Sequence, residues 1–330
     1  LALAALPDPL FPLDQQTAHT VFAAILDGAF DDEAVYSFVN GIAERDETSA
    51  EIAGAALAMR ERMIPVSAPA NAIDVCGTGG DGAHSLNVST AVAIVVAAAG
   101  VPVAKHGNRA ASSKAGAADT LEALGLDLDR ASDRAEAALN EIGICFLFAQ
   151  KHHPALKPLA PIRKRIARRT IFNLTGPICN PAGVRRQLIG VARPDYLPVY
   201  SGALERIGCD AAMMVSGDEP LDELSIGGPS SIFRLGEIGF GPERFEPEVA
   251  GLSRHPLDAI RGGDAAYNGA ALQRLLAGEA GAYRDAVLLN TAAALIIAGR
   301  AADWREGVAI GAEAIDSGAA GALLARWIAF

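Results

Sequence analysis

Two glycine-rich or cation-rich stretches and one acidic pair carry the chemistry this chain could do. The run Ile73-Asp74-Val75-Cys76 leads into Gly77-Thr78-Gly79-Gly80-Asp81-Gly82, and Ser85-Leu86-Asn87-Val88-Ser89-Thr90 then opens a long apolar run. Glycines let a backbone approach a ligand, and a helix start offers free N–H groups to an anion. Strand, glycine loop and helix together suit a phosphate cradle. The spacing fits neither the dinucleotide fingerprint nor a Walker loop, and a tight structural turn would explain the glycines alone.

A second cluster, Lys105-His106-Gly107-Asn108-Arg109-Ala110-Ala111-Ser112-Ser113, offers cations, an imidazole, an amide and two hydroxyls, a set suited to a pyrophosphate or sugar phosphate. A solvated polar loop is the plainer reading. A third, Ser216-Gly217-Asp218-Glu219-Pro220-Leu221-Asp222-Glu223, brings adjacent carboxylates to one loop. Such a pair suits magnesium, which takes one or two carboxylates plus substrate phosphates, though acidic surface turns are common. Between them, Arg163-Lys164-Arg165-Ile166-Ala167-Arg168-Arg169 places five cations in seven residues. One guanidinium could fork onto a carboxylate-bearing substrate, while a solvated helix face accounts for most of the others. His152-His153-Pro154 lacks zinc-ligand spacing, and no nucleophile elbow occurs.

The elements that must position these residues follow from periodicity. Residues 14–64 read as amphipathic helices, with Thr48 and Glu51 spaced as a capping box. A turn-rich joint covers 65–71. Strands are expected at 73–76, 101–104, 144–148, 187–191 and 212–215, with helices at 88–99, 115–124, 131–142 and 197–207. This alternation implies a largely parallel sheet, whose binding edge is the carboxyl ends of its strands. Residues 173–181 read as a turn-rich hinge or pocket wall. Further helices are expected at 265–276, 282–298, 304–317 and 319–327. The 330 residues are 51% hydrophobic and 20% charged, an ordinary globular composition. A net charge of −11 disfavours nucleic acid as partner. Four scattered cysteines read as reduced core residues, and no signal peptide or membrane-length apolar run is found, so the cytoplasm is expected.

These motifs, in this order, resemble the anthranilate phosphoribosyltransferase family. The matching segments are Gly77 to Gly82, Asn87 to Thr90, Lys105 to Ser113 and Asp222-Glu223, supported by Arg169-Thr170-Ile171-Phe172-Asn173 and by Arg284 to Asn290. The resemblance implies an α/β protein: a small helical N-terminal domain (1–69, with 158–186 adding hinge and helical segments) hinged to a larger α/β domain (70–330). That larger domain has a mostly parallel sheet flanked by helices. It also implies a cytoplasmic homodimer that moves the phosphoribosyl group of phosphoribosyl pyrophosphate (PRPP) onto the amine of anthranilate, in tryptophan biosynthesis.

By the same resemblance PRPP is held by Gly77, Gly80, Asp81, Ser85, Asn87, Val88, Ser89 and Thr90. Residues Lys105, His106, Gly107, Asn108, Arg109, Ala110, Ala111, Ser112, Ser113 and Ala117 complete that set. Anthranilate meets Gly77, His106, Asn108, Arg163 and Pro177, while Ser89, Asp222 and Glu223 bind magnesium, two ions per site. No side chain acts as a covalent catalyst, and Lys105 and the metal assist pyrophosphate departure. Four departures from the family pattern stand out: Ala117 for a PRPP-contacting serine, Gln150 for a proline, Ile166-Ala167 for Leu-Gly, and Thr175 for leucine. The sequence begins without Met, which suggests that the first residues are trimmed or unobserved. The rivals are a pyrimidine nucleoside phosphorylase, which would use inorganic phosphate, and a nucleic-acid binder of the same architecture.

Overall fold

The computed structural model describes residues 4–110, 114–219 and 221–330. Three N-terminal helices, Gln15–Leu26, Asp32–Arg45 and Ser49–Arg60, each begin at a side-chain cap: Asp14 accepts from the Thr17 amide, Asp31 from Ala34, and Thr48 with Glu51 forms the expected reciprocal box. Their apolar faces meet in a core of Phe22, Phe38 and Ile52, closed by Phe172 and Tyr200 from later segments. The Phe172 ring meets Phe22 edge-on at 5.9 Å.

The remainder is built on one seven-stranded sheet: β1 (Ile73–Gly77), β2 (Val103–Gly107), β3 (Ile144–Phe148), β4 (Arg186–Gly190), β5 (Ala211–Gly217), β6 (Ser230–Gly236) and β7 (Gly241–Phe245), in the order β3-β2-β1-β4-β5-β6-β7. The first five strands are parallel and the last two antiparallel. Buried strands covered on both faces read as apolar runs. Ile73, Val75, Met213 and Val215 enter the core around helix Val88–Ala98, whereas Ala212 and Met214 pack towards the N-terminal helices.

Several sequence expectations need correction. β6 and β7 were not anticipated, because β6 alternates buried with half-exposed residues and β7 is rich in Gly, Pro and charge. The helix expected at 131–142 is two, Leu128–Asp133 and Ala135–Ile142, broken at Arg134. The segment 173–181 is not turn throughout: Ile171–Ile178 is a helix. Pro177 is the seventh of its eight residues, where little helix remains to be broken.

β1 pairs with β4 at five positions, from Ile73↔Arg186 to Gly77↔Gly190, but with β2 only at Ile73↔Val103. Beyond that point side chains bridge the two strands. The Asp74 carboxylate accepts from the His106 amide at 3.1 Å, and Lys105 Nζ donates to the Val75 carbonyl at 2.7 Å. Strand order reverses between β1 and β4, so the carboxyl ends of these two strands lie where ligands of open α/β sheets sit.

Candidate active site

The loop after β1 bends through Gly79, Gly80 and Gly82, with φ of 68°, 80° and 74°, a region costly for residues with a Cβ. Gly77 serves differently. Its φ is not positive, but a Cβ there would overlap the Asp222 carboxylate, and one on Gly190 would overlap the Asp222 carbonyl. The two glycines let the acidic loop after β5 lie directly on the ends of β1 and β4. Asp222 Oδ2 then accepts from the Gly79 amide at 2.7 Å, and the Asp222 amide donates to Asp81 Oδ2 at 3.2 Å.

Glu223 reaches the start of helix Val88–Ala98, where its Oε1 accepts from the Ser89 amide at 3.2 Å. Asn87 leaves that helix without a side-chain cap; its Oδ1 is instead taken by Thr120 and Asn268 at 2.6 and 2.9 Å. Lys105, 1% exposed, donates to Val75 and, at 3.3 Å, to Ser89 Oγ. Asp81, Ser89, Lys105, Asp222 and Glu223, from four separate segments, therefore form one cluster.

Burial, then repulsion from Asp81, pushes the Asp222 carboxyl up to about 7. Burial and Asp222 push Glu223 well above the ordinary range, against the pull of Lys105. Two crowded carboxylates, a hydroxyl and one already hydrogen-bonded ammonium make a hard-oxygen donor set short of positive charge. That set fits magnesium. Among the described residues no three His, Cys, Asp or Glu side chains form a ready-made cage, as expected for an ion whose remaining ligands are water and phosphate.

On the other face of β2 from Lys105 stands a wall of imidazoles. His106 Nδ1 lies 3.0 Å from the Gly176 carbonyl. A carbonyl only accepts, so the proton sits on Nδ1 and Nε2 presents a lone pair. That Nε2 is buried without a partner among the described residues, as is the Nε2 of His153, whose ring centroid is 5.1 Å away. Burial, then the neighbouring histidine, holds His106 down to about 3 and His153 to about 4, so both are neutral near pH 7. Pro177 lies in the last turn of the adjoining helix, its carbonyl accepting from Gln187 Nε2 at 2.8 Å. Arg163, on helix Ala160–Ile166, packs 5.8 Å over Phe172 of the same wall. No carboxylate among the described residues pairs with it, and burial lowers its pKa.

Other expected residues are placed less directly. Val88 and Thr90 are buried, and the Thr90 hydroxyl has no partner among the described residues. Ser85 bridges to Arg261. Gly107 is required by the Phe146 ring, 2.7 Å from where its Cβ would be. Asn108 Oδ1 accepts from Arg109 N at 2.8 Å and from Gln150 Nε2 at 3.4 Å, so the Gln150 departure touches a site residue. The Arg109 guanidinium binds Asp119 and Glu122 instead of turning to the cluster. Ala110 N donates to Asp119 at 3.0 Å, and Ala117 begins helix Ala117–Ala123. Ala111, Ser112 and Ser113 lie outside the described residues. Sequence reasoning gave Asp74 no role; the one available signal was an acid inside the apolar strand run at 73–76.

Comparison with known proteins decides the family. The model of the glycosyl transferase family a/b domain matches residues 69–321, and that of its helical bundle domain matches 10–63. Anthranilate phosphoribosyltransferase of Novosphingobium aromaticivorans is 62% identical over 324 residues, 98% of each chain. The chain belongs to the anthranilate phosphoribosyltransferase family. The solved structure of the Thermus thermophilus member has a TM-score of 0.92 at 41% identity, covering 97% of this chain and 96% of that one. The Saccharomyces cerevisiae member in complex with PRPP and Mg has a TM-score of 0.87 at 27% identity, covering 96% and 93%. The same yeast enzyme was also solved with 4-fluoroanthranilate, covering 96% and 93% with a TM-score of 0.86 at 26% identity.

Proposed function

We infer that this chain transfers the 5-phosphoribosyl group of PRPP to the amine of anthranilate, releasing pyrophosphate and N-(5-phosphoribosyl)anthranilate in tryptophan biosynthesis. The observation that carries this is the convergence of Asp81, Ser89, Lys105, Asp222 and Glu223 around the carboxyl end of β1.

Ser89, Asp222 and Glu223 hold magnesium, two ions in each site; when bound, the metal supplies positive charge for the pyrophosphate as its bond to the ribosyl carbon breaks. Lys105, fixed by Val75 and Ser89, adds a charge that needs no reorganisation. The loop 77–82, residues 85–90, the segment 105–113 and Ala117 seat PRPP. Arg163 forks onto the anthranilate carboxylate, and Gly77, Asn108 and Pro177 flank the ring. The bare Nε2 of His106 accepts an N–H of the aromatic amine. A nitrogen held down to about 3 orients that amine and is too weak a base to ionise it. As the nitrogen bonds to the ribosyl carbon and pyrophosphate leaves, the extra amine proton passes to solvent. Rate then comes from orientation and exclusion of water, with 1–69 and 158–186 closing on the sheet domain. The protein works as a cytoplasmic homodimer.

The test is loss of anthranilate fluorescence on adding PRPP and Mg2+, with inorganic phosphate replacing PRPP as control. Turnover that requires both PRPP and Mg2+ is expected, and Glu223→Gln should raise the Mg2+ concentration needed. Well-folded protein without turnover refutes the assignment.

A further inference from the structure

Asp74 is fully buried on β1, at a position where an apolar side chain would be expected. Its Oδ1 accepts from the His106 amide at 3.1 Å and its Oδ2 from Asn180 Nδ2 at 2.8 Å. Asn180 is also buried, donating to the Ala104 carbonyl at 2.7 Å and accepting from the Ala182 amide at 2.8 Å. It lies two residues beyond helix Ile171–Ile178, whose Gly176 carbonyl takes His106 Nδ1. The bonds form a closed ring, from Asp74 to His106, to Gly176, along the chain to Asn180, and back to Asp74.

The ring sits where the chain crosses between the helical part and the sheet. The Ile64 amide donates to the His152 carbonyl at 2.8 Å, the Val66 amide to Pro181 at 3.0 Å, and Arg60 Nε to Ile178 at 2.9 Å. These bonds tie crossing segments to one another, whereas the Asp74–Asn180 bond ties one of them to the strand that carries the glycine loop. Asp74 lies three residues before Gly77 and has no direct path to a ligand.

We propose that Asp74 is a positioning residue for the transfer: through the His106 amide and the Asn180 side chain it fixes the acceptor wall, His106 and Pro177, against the pyrophosphate-side loop. A carboxylate is needed because both neighbours donate to it. An asparagine in its place would turn an NH2 towards one of the two donors. The inference rests on the phosphoribosyl-transfer reading above. Turnover of the parental protein is therefore measured first, and its absence would count against that reading rather than against Asp74.

Steady-state kinetics of Asp74→Asn, Asn180→Ala and Asp74→Asn/Asn180→Asp would test the role, with each melting temperature recorded. Each single variant should raise KM for anthranilate by about tenfold or more, the scale of one charge-assisted hydrogen bond, with KM for PRPP within about twofold. The double exchange, which restores one donor–acceptor pair and one negative charge, should recover part of the lost affinity. Cys179→Ala, which truncates a buried side chain next to Asn180 that makes none of the ring's hydrogen bonds, should lower stability and move neither KM. If Asp74→Asn does not fold, Asn180→Ala breaks the same bond while leaving the carboxylate, and the same KM split is required of it. Equal changes in both KM values, a fall in kcat alone, or a matching effect from Cys179→Ala would overturn the proposal.

Discussion

Replacing Gly77 by alanine should damage the site without damaging the fold. The strand backbone at Gly77 tolerates a side chain, since φ there is not positive. The new methyl would overlap Asp222 Oδ2 and lie 2.8 Å from its Cγ. The carboxylate must swing away and lose its 2.7 Å bond from the Gly79 amide. A hydrogen bond to a charged group contributes about 1.5–3 kcal/mol, and each 1.36 kcal/mol is one decade, so kcat/KM for PRPP should fall roughly 10- to 100-fold. The Mg2+ concentration for half-maximal rate should rise as well, because a proposed metal ligand has moved. Fluorescence kinetics at graded Mg2+ and a thermal melt read both effects. Gly190→Ala is the contrast: its methyl would strike the Asp222 backbone, which cannot rotate away, so that variant should lose fold stability too. If Gly77→Ala keeps kcat/KM within about threefold of the parent at every Mg2+ level, the steric argument is wrong.

Other consequences can be measured. Ala167 caps helix Ala160–Ile166 with φ 53° and ψ 25°, left-handed values that cost a residue with a Cβ about 1–2 kcal/mol. Allowing for the greater freedom of glycine when unfolded, Ala167→Gly should stabilise by roughly 0.5–1 kcal/mol in urea titrations; no gain would refute it. Glu51 is buried against Arg45 and accepts from the Leu13 and Thr48 amides, so Glu51→Gln should cost about 2–3 kcal/mol by leaving Arg45 unpaired. Burial pushes the Glu51 carboxyl up, but Arg45 and the two amides bring it net below its ordinary value. Its contribution is present above that ordinary value and is lost as pH falls through the lower folded one, a loss that Glu51→Gln should remove from acid melts. His106 and His153 are neutral when folded and held to about 3 and 4. Their stabilisation is full above the unfolded value of 6.5 and declines as pH falls towards 4, by an amount on the order of 2–3 kcal/mol for His153. His153→Asn should flatten the melting-temperature profile between pH 4 and 6.5, and an unchanged slope would refute this reading.

The parts of this molecule legible in its sequence are those set by local chemistry. Thr48 and Glu51 lie three residues apart, so their box needs no tertiary knowledge, and helix Leu197–Ile207 begins and ends where its periodicity does. β3 is apolar at every residue and was equally plain. The glycine loop and the acidic pair stood out by residue type. What was not legible is set by distant partners. Asp74 and Asn180 are 106 residues apart, and neither has neighbours that name the other. Arg109, expected among the PRPP contacts, lies beside Asp119 and Glu122 in the fold, a pairing that its local sequence does not announce. β6 and β7 form by pairing outward from β5, which supplies order that their own sequences encode weakly.

The composition of the N-terminal core also bears on how the chain is made. Helices Gln15–Leu26 to Ser49–Arg60 bury their faces against Leu159, Phe172 and Tyr200, so the ribosome must add roughly a hundred further residues before that core can begin to close. At 5–20 residues per second that is an interval of about 5–20 s. During it Phe22, Phe38 and Ile52 have only one another as native cover, and the nascent protein is most exposed to chaperones and to aggregation.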